Sequence, residues 1–115
     1  MRVCTYVDQL DEAILAKEAG VDAIILGNML FSRFGKISPN RYSKFCREVK
    51  NIKLRVIFDW DILMTEKVFK ERSAELKYIE WELIDAIRVQ DPGALNWVKE
   101  NLPGKPIQLI TETGN

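Results

Sequence analysis

Asp59 and Asp61 stand two residues apart in the run Phe58-Asp59-Trp60-Asp61, a spacing that puts both carboxylates on one face of a β-strand. Carboxylates paired in this way can hold a divalent cation or polarise a water for general acid–base work. Arg88 and Gln90 share the two-residue spacing, and so do Gln108, Ile110 and Glu112. Three successive segments therefore place arginine, carboxylate and amide groups on one strand face. A purely structural reading is also open: Arg55 and Arg88 would neutralise these acids in an interior that tolerates no isolated charge. The chain has no His, which removes Ser-His-Asp, Cys-His and His-ligated metal chemistry. Cys4 and Cys46 are too far apart for a redox Cys-x-x-Cys and too few for a cluster, and both are expected to be buried free thiols.

The elements that must position these groups alternate between short β-branched runs and amphipathic stretches. Val3–Val7 is a first strand, followed by a helix with Asp8 as its N-cap and Gly20 just past its end. The apolar run Val21–Gly27 is a second strand, of the kind buried on both faces. Ser38-Pro39 opens a second helix with Tyr42, Phe45, Cys46 and Val49 on its buried stripe. Lys53–Trp60 is a third strand. Thr65 and Glu66 start a third helix whose apolar positions are Val68, Phe69, Leu76, Ile79 and Leu83. Asp85–Gln90 is a fourth strand, Asp91-Pro92 caps a fourth helix carrying Leu95, Val98 and Leu102, and Ile107–Thr111 is a fifth strand. Trp60, Trp81 and Trp97 are expected to pack under or between helices.

A β-α alternation of this kind implies α/β architecture with a parallel sheet and right-handed crossovers. The 115 residues form one domain, 1–115, and supply five strands of a TIM-like barrel, which takes about 200 residues or more when complete. The alternative is a five-stranded doubly wound sheet. The sequence stops where a βα loop would begin, so truncation after the fifth strand is expected. In either fold the functional mouth lies at the carboxyl ends of the strands. The candidates there are Asn28, Asp59, Asp61, Gln90, Asp91 and Glu112, with Asp91 already explained as an N-cap. The Met29–Phe34 loop, with Arg33, either touches substrate or packs over the mouth.

The segment Ala19-Gly-Val-Asp-Ala-Ile-Ile-Leu-Gly27, followed by Phe31-Ser32-Arg33, resembles the second strand and loop of the collagenase-like peptidases, peptidase family U32. Asp85-Ala-Ile-Arg-Val-Gln-Asp-Pro-Gly93 is similar to that family's fourth strand and helix start, and Pro106–Asn115 to its fifth strand. The departures are Thr5-Tyr6-Val7-Asp8, where the family has an Ala-Pro-Ala-Gly-like turn, and Phe58–Asp61, where it has a Thr-Leu-Asn-like ending. The resemblance thus implies a divergent member and the N-terminal part of a (β/α)8-like catalytic domain. It also implies one of two activities, proteolysis or an oxygen-independent hydroxylation that uses an iron–sulfur cluster. The cluster's cysteines lie later in the family's chains, so no cofactor is expected within these residues.

The sequence reading therefore expects part of a substrate pocket formed by Asn28, Arg33, Asp59, Asp61, Arg88, Gln90 and Glu112. Its substrate would be a peptide or another small molecule. Seventeen Lys+Arg balance seventeen Asp+Glu, which speaks against nucleic-acid binding by charge. The longest apolar run, Ala23–Leu26, is too short to span a membrane, and a cytoplasmic location is expected. A doubly wound phospho-receiver is the competing non-enzymatic reading, opposed by the lack of an acidic pair after the first strand. Exposed sheet edges would call for a homodimer or for docking with the rest of a barrel.

Overall fold

The computed structural model describes residues 5–109. Its elements are α1 (Leu10–Glu18), β1 (Ala23–Leu26), α2 (Pro39–Asn51), β2 (Arg55–Trp60), α3 (Glu66–Leu76), β3 (Ala86–Val89), α4 (Pro92–Asn101) and β4 (Ile107–Leu109). β1 to β4 correspond to the second to fifth strands expected from the sequence. They form one sheet in the order β1-β2-β3-β4, and every neighbouring pair is parallel. Tyr6 bridges Ile25 in parallel, with the Val7 N–H donating to Ile25 O at 3.1 Å and the Ile25 N–H to Thr5 O at 2.9 Å. The chain at Tyr6 thus runs along the outer side of β1; the beginning of the expected first strand lies outside the described residues, as does the end of the fifth.

Strand order that follows chain order, joined by right-handed crossovers, puts every helix on the same face of the sheet. The burial agrees. Ile24, Leu26, Val56, Phe58, Trp60, Ile87 and Val89 share one core with Ala13 of α1, Tyr42, Phe45, Cys46 and Val49 of α2, Leu76 of α3, and Ala94 and Val98 of α4. The opposite face carries a separate small cluster of Ala23, Ile25, Ile57 and Ala86. A doubly wound sheet needs a point where the strand order reverses. None occurs among the described strands, which form a run of consecutive parallel (β/α) units. The even–odd division read along each strand is the division between these two faces.

Aromatic rings dominate the helix side. Phe58, fully buried, lies edge-on or tilted to Phe31, Tyr42, Trp60 and Trp81 at centroid distances of 5.8, 5.7, 6.3 and 5.0 Å. Trp97 joins them at 5.7 Å from Trp60 and 5.8 Å from Trp81, so all three tryptophans pack as expected. Such rings bury large apolar areas and gain further from edge-to-face geometry.

Helix ends follow the sequence signals with two exceptions. Asp91 Oδ2 accepts the Ala94 N–H at 3.1 Å, Thr65 Oγ1 accepts the Val68 N–H at 3.2 Å, and Gly20 takes φ of 93° just past α1. The first exception is the cap of α1, which falls on Gln9 rather than Asp8. Glu12 Oε1 accepts the N–H groups of both Asp8 and Gln9 at 3.2 Å, which delays the first turn by one residue. The second is α3, which ends at Leu76 instead of continuing to Leu83. The Trp81 indole donates to Leu76 O at 3.0 Å and satisfies a last-turn carbonyl. Trp81–Leu83 then form a short 3-10 turn, so Ile79 and Leu83 reach the core from outside the helix. Leu109, assigned by alternation to the helix side, is 65% exposed on the short edge strand β4.

Candidate functional site

The side chains that gather polar chemistry lie on the face away from the helices, toward the carboxyl ends of the strands. Asp59 of β2 and Arg88 of β3 are direct partners in the parallel ladder. Their shared face follows from the register, and Arg88 Nη1 lies 4.0 Å from Asp59 Oδ1. The carboxylate itself is fully buried. Its Oδ2 accepts the Ser32 hydroxyl at 2.8 Å and the Tyr6 hydroxyl, while Oδ1 makes no hydrogen bond.

Tyr6 reaches Asp59 across an intervening strand. It pairs with Ile25 of β1, which pairs with Ile57 of β2, so the tyrosine must pass over β1 to meet a residue two positions beyond Ile57. Gly27, two residues beyond Ile25 and on the same face, presents no side chain in that path. The loop after β1 closes tightly over this gap. A Cβ on Gly27 would meet Gly35 Cα at 2.7 Å and Ser32 Oγ at 3.3 Å, and one on Gly35 would meet Asn28 O at 2.5 Å. Gly27→Ala is therefore expected to push the 32–35 loop outward, lengthen the Ser32–Asp59 hydrogen bond and destabilise the fold by about 1–3 kcal/mol. Chemical denaturation with amide shifts of Ser32 and Asp59 as a second readout tests this; unchanged values in both would refute the close approach.

The electrostatics follow from the burial. Desolvation raises the Asp59 carboxyl above its ordinary 3.8, the nearby Asp61 charge adds to the rise, and the hydrogen bonds from Tyr6 and Ser32 and the charge of Arg88 oppose it without cancelling it. The Tyr6 hydroxyl is pushed up to about 12, first by its own burial and then by its bond to Asp59. It remains a donor throughout the physiological range. A carboxyl with this environment takes up a proton more readily than an exposed aspartate, and its bare Oδ1 is an acceptor for a donor supplied from outside.

The other sequence candidates divide. Gln90, two residues past Arg88 on the same face, has a buried Oε1 that makes no hydrogen bond. Asp61 is committed elsewhere: Oδ1 accepts the Arg33 N–H at 2.7 Å, and Oδ2 lies 3.6 Å from Arg33 Nε. That pair fastens the loop to the end of β2, helped by the Asp61 N–H donating to Phe31 O at 3.1 Å. Asn28 is also local, its Oδ1 accepting the Leu30 N–H at 2.9 Å in a side-chain turn. Asp91 is the helix cap, and Glu112 lies outside the described residues. The Met29–Phe34 loop divides: Phe31 is fully buried in the helix-side core, while Phe34 is 64% exposed and edge-on to Tyr6 at 6.1 Å.

Sequence reasoning missed Tyr6 and Ser32 as partners of Asp59. Strand parity held the signal for Tyr6, because Val7 faces the helix-side core and its neighbour must face away. Ser32 carried none, since its placement depends on the glycine-to-glycine contact. Asp59 and Asp61 keep different partners, Tyr6 and Ser32 for the first and Arg33 for the second, and among the described residues no three His, Cys, Asp or Glu side chains gather to hold a metal ion. Nor does Cys46 fit an iron–sulfur cluster: it is a buried thiol, with no second cysteine among the described residues, and burial pushes its pKa up to about 12. Cys4 lies outside the described residues. Among those residues no helix is long and apolar enough to cross a membrane.

Compared with known families, residues 8–115 match the model of peptidase family U32. No curated protein and no solved structure is significantly similar to the chain.

Proposed function

The chain belongs to peptidase family U32, and from that premise we propose that it supplies the substrate-binding portion of an enzyme of that family, with the strand carboxyl ends around Asp59 as the binding surface. The observation that carries this reading is the buried Asp59 carboxylate, held by Tyr6 and Ser32 through one oxygen and without a hydrogen bond at the other, where Arg88 stands 4.0 Å away. A buried acceptor without a donor costs about 1–3 kcal/mol. Such a cost is retained where a ligand supplies the missing donor. Arg88 and Gln90 extend the surface, and a peptide or another small polar molecule is the substrate class that this mixture of acceptors and cation suits.

On this reading the chain binds but does not cleave by itself. Ser32 is only 4% exposed and its hydroxyl proton is already directed at Asp59, so it is not presented to a peptide carbonyl as a nucleophile. The isolated chain is expected to show no hydrolysis of a fluorogenic peptide library above buffer background. Robust cleavage that disappears in Asp59→Asn would overturn this and make Asp59 part of a complete catalytic centre. The alternative activity within the family, cluster-dependent hydroxylation, would draw its cluster ligands from elsewhere, since Cys46 is buried in the helix-side core. A phospho-receiver role is disfavoured because Asp59 Oδ2 is already held by Tyr6 and Ser32 and, among the described residues, no three acidic side chains gather to hold a metal ion beside it. The reading also takes the outer edge of β4, where Leu109 is 65% exposed, to be covered by further barrel strands or by a second copy.

A further inference from the structure

We propose that the Asp59–Arg88–Gln90 row recognises the head of a free α-amino acid, with the ligand ammonium on Asp59 Oδ1 and Gln90 Oε1 and the ligand carboxylate on Arg88; this rests on reading the strand ends as a substrate surface. Three observations converge. Two buried oxygens, Asp59 Oδ1 and Gln90 Oε1, have no hydrogen-bond donor. Both belong to the face that carries Arg88, since Asp59 is Arg88's register partner and Gln90 follows it by two. Arg88 Nη1 stands 4.0 Å from Asp59 Oδ1, beyond hydrogen-bond length, so its donors are not spent on that oxygen. The row lacks an N–H donor on either acceptor, and the one carboxylate facing the guanidinium stands too far from Nη1 to accept a hydrogen bond from it.

The spacing selects the ligand. Asp59 and Arg88 are opposite one another on adjacent strands, and their tips stand 4.0 Å apart, Oδ1 to Nη1. An ammonium and a carboxylate on one carbon span that gap, whereas a lone amine leaves Arg88 unused and a lone carboxylate leaves the two acceptors bare. Access runs past Arg88, which is 27% exposed at its side chain and is the long, rotatable neighbour of the buried carboxylate. A ligand carboxylate offers the guanidinium a two-pronged partner and draws it off Asp59 as the ammonium arrives.

The test uses the full chain and four probes: L-alanine, N-acetyl-L-alanine, L-alaninamide and N-acetyl-L-alaninamide. Binding is followed by amide shift changes of Asp59, Arg88 and Gln90 in NMR titrations. L-Alanine is expected to bind at least about tenfold more tightly than either singly blocked form, each lacking one charge-assisted contact. Asp59→Asn should remove the preference for the free amine, and Arg88→Gln the preference for the free carboxylate, in variants whose spectra otherwise stay native. Equal binding of all four probes would overturn amino-acid recognition while leaving a peptide-binding surface intact. No shift change with any probe would overturn both.

Discussion

Asp59→Asn is expected to make the protein more stable at neutral and alkaline pH, read as a higher Tm than the parent's. Burial raises the folded-state pKa of this carboxyl above its ordinary value. A raised carboxyl pKa means that the folded state favours the protonated form. Its contribution to stability is therefore full below the unfolded pKa and is lost as pH rises through the folded pKa. Asparagine mimics the protonated state at every pH and keeps an oxygen to accept from Tyr6 and Ser32. The two proteins should thus diverge in stability from mildly acidic pH upward and converge at the acid end. Thermal melts at a series of pH values test the sign. A variant less stable than the parent at pH 8 would show that the pairing with Arg88 outweighs desolvation. The charged neighbours in this balance are Asp61 and Arg88, and the hydrogen-bonding ones Tyr6 and Ser32. Stabilisation by removing a side chain is the signature of a group kept for binding rather than for folding.

The largest loss is expected from Phe58→Ala, at about 3–5 kcal/mol. Phe58 is fully buried in the middle of β2 and its ring touches four others from four different parts of the chain: the loop ring Phe31, Tyr42 of α2, Trp60 of β2 and Trp81 beyond α3. Deleting it opens a cavity bounded by rigid rings that cannot collapse together, which places the cost at the upper end for buried aromatics. Against a total stability of about 5–15 kcal/mol, the variant stands near unfolding at 37 °C. In urea the midpoint should fall by roughly 1–3 M with an unchanged slope. Phe58→Leu, which refills part of the space, should recover more than half of the loss. A drop below about 1 kcal/mol for the alanine variant would mean that the ring cluster is not the organising core.

Which face each strand residue occupies was legible from alternation alone. Val56, Phe58 and Trp60 go under the helices and Ile57 and Asp59 away from them, because a strand offers only two faces and the helices claim the continuous apolar one. Caps built from a polar residue followed by Pro, at Ser38-Pro39 and Asp91-Pro92, were equally plain. What could not be read were contacts between distant segments. That Tyr6 meets Asp59, fifty-three residues away, depends on the register that aligns Tyr6 with Ile25 and Ile25 with Ile57. Asn28 and Asp61 looked as eligible as Asp59. Their local turns and loop ties, which consume them, follow from the path of the 28–37 loop, which is fixed by the close approach of Gly27 and Gly35. The end of α3 escaped for a similar reason, since the indole that terminates it returns from five residues downstream.

Asp59 is a buried carboxylate with one oxygen left without a hydrogen bond, and its own titration separates this state from half of a structural ion pair. Its side-chain carboxyl carbon can be followed by NMR through a pH titration of the full chain, with Asp59→Asn assigning the resonance. The account predicts a midpoint above the ordinary 3.8, displaced by burial despite Arg88. A midpoint at or below that value would contradict it, and would make Asp59 and Arg88 a pair that serves the fold alone.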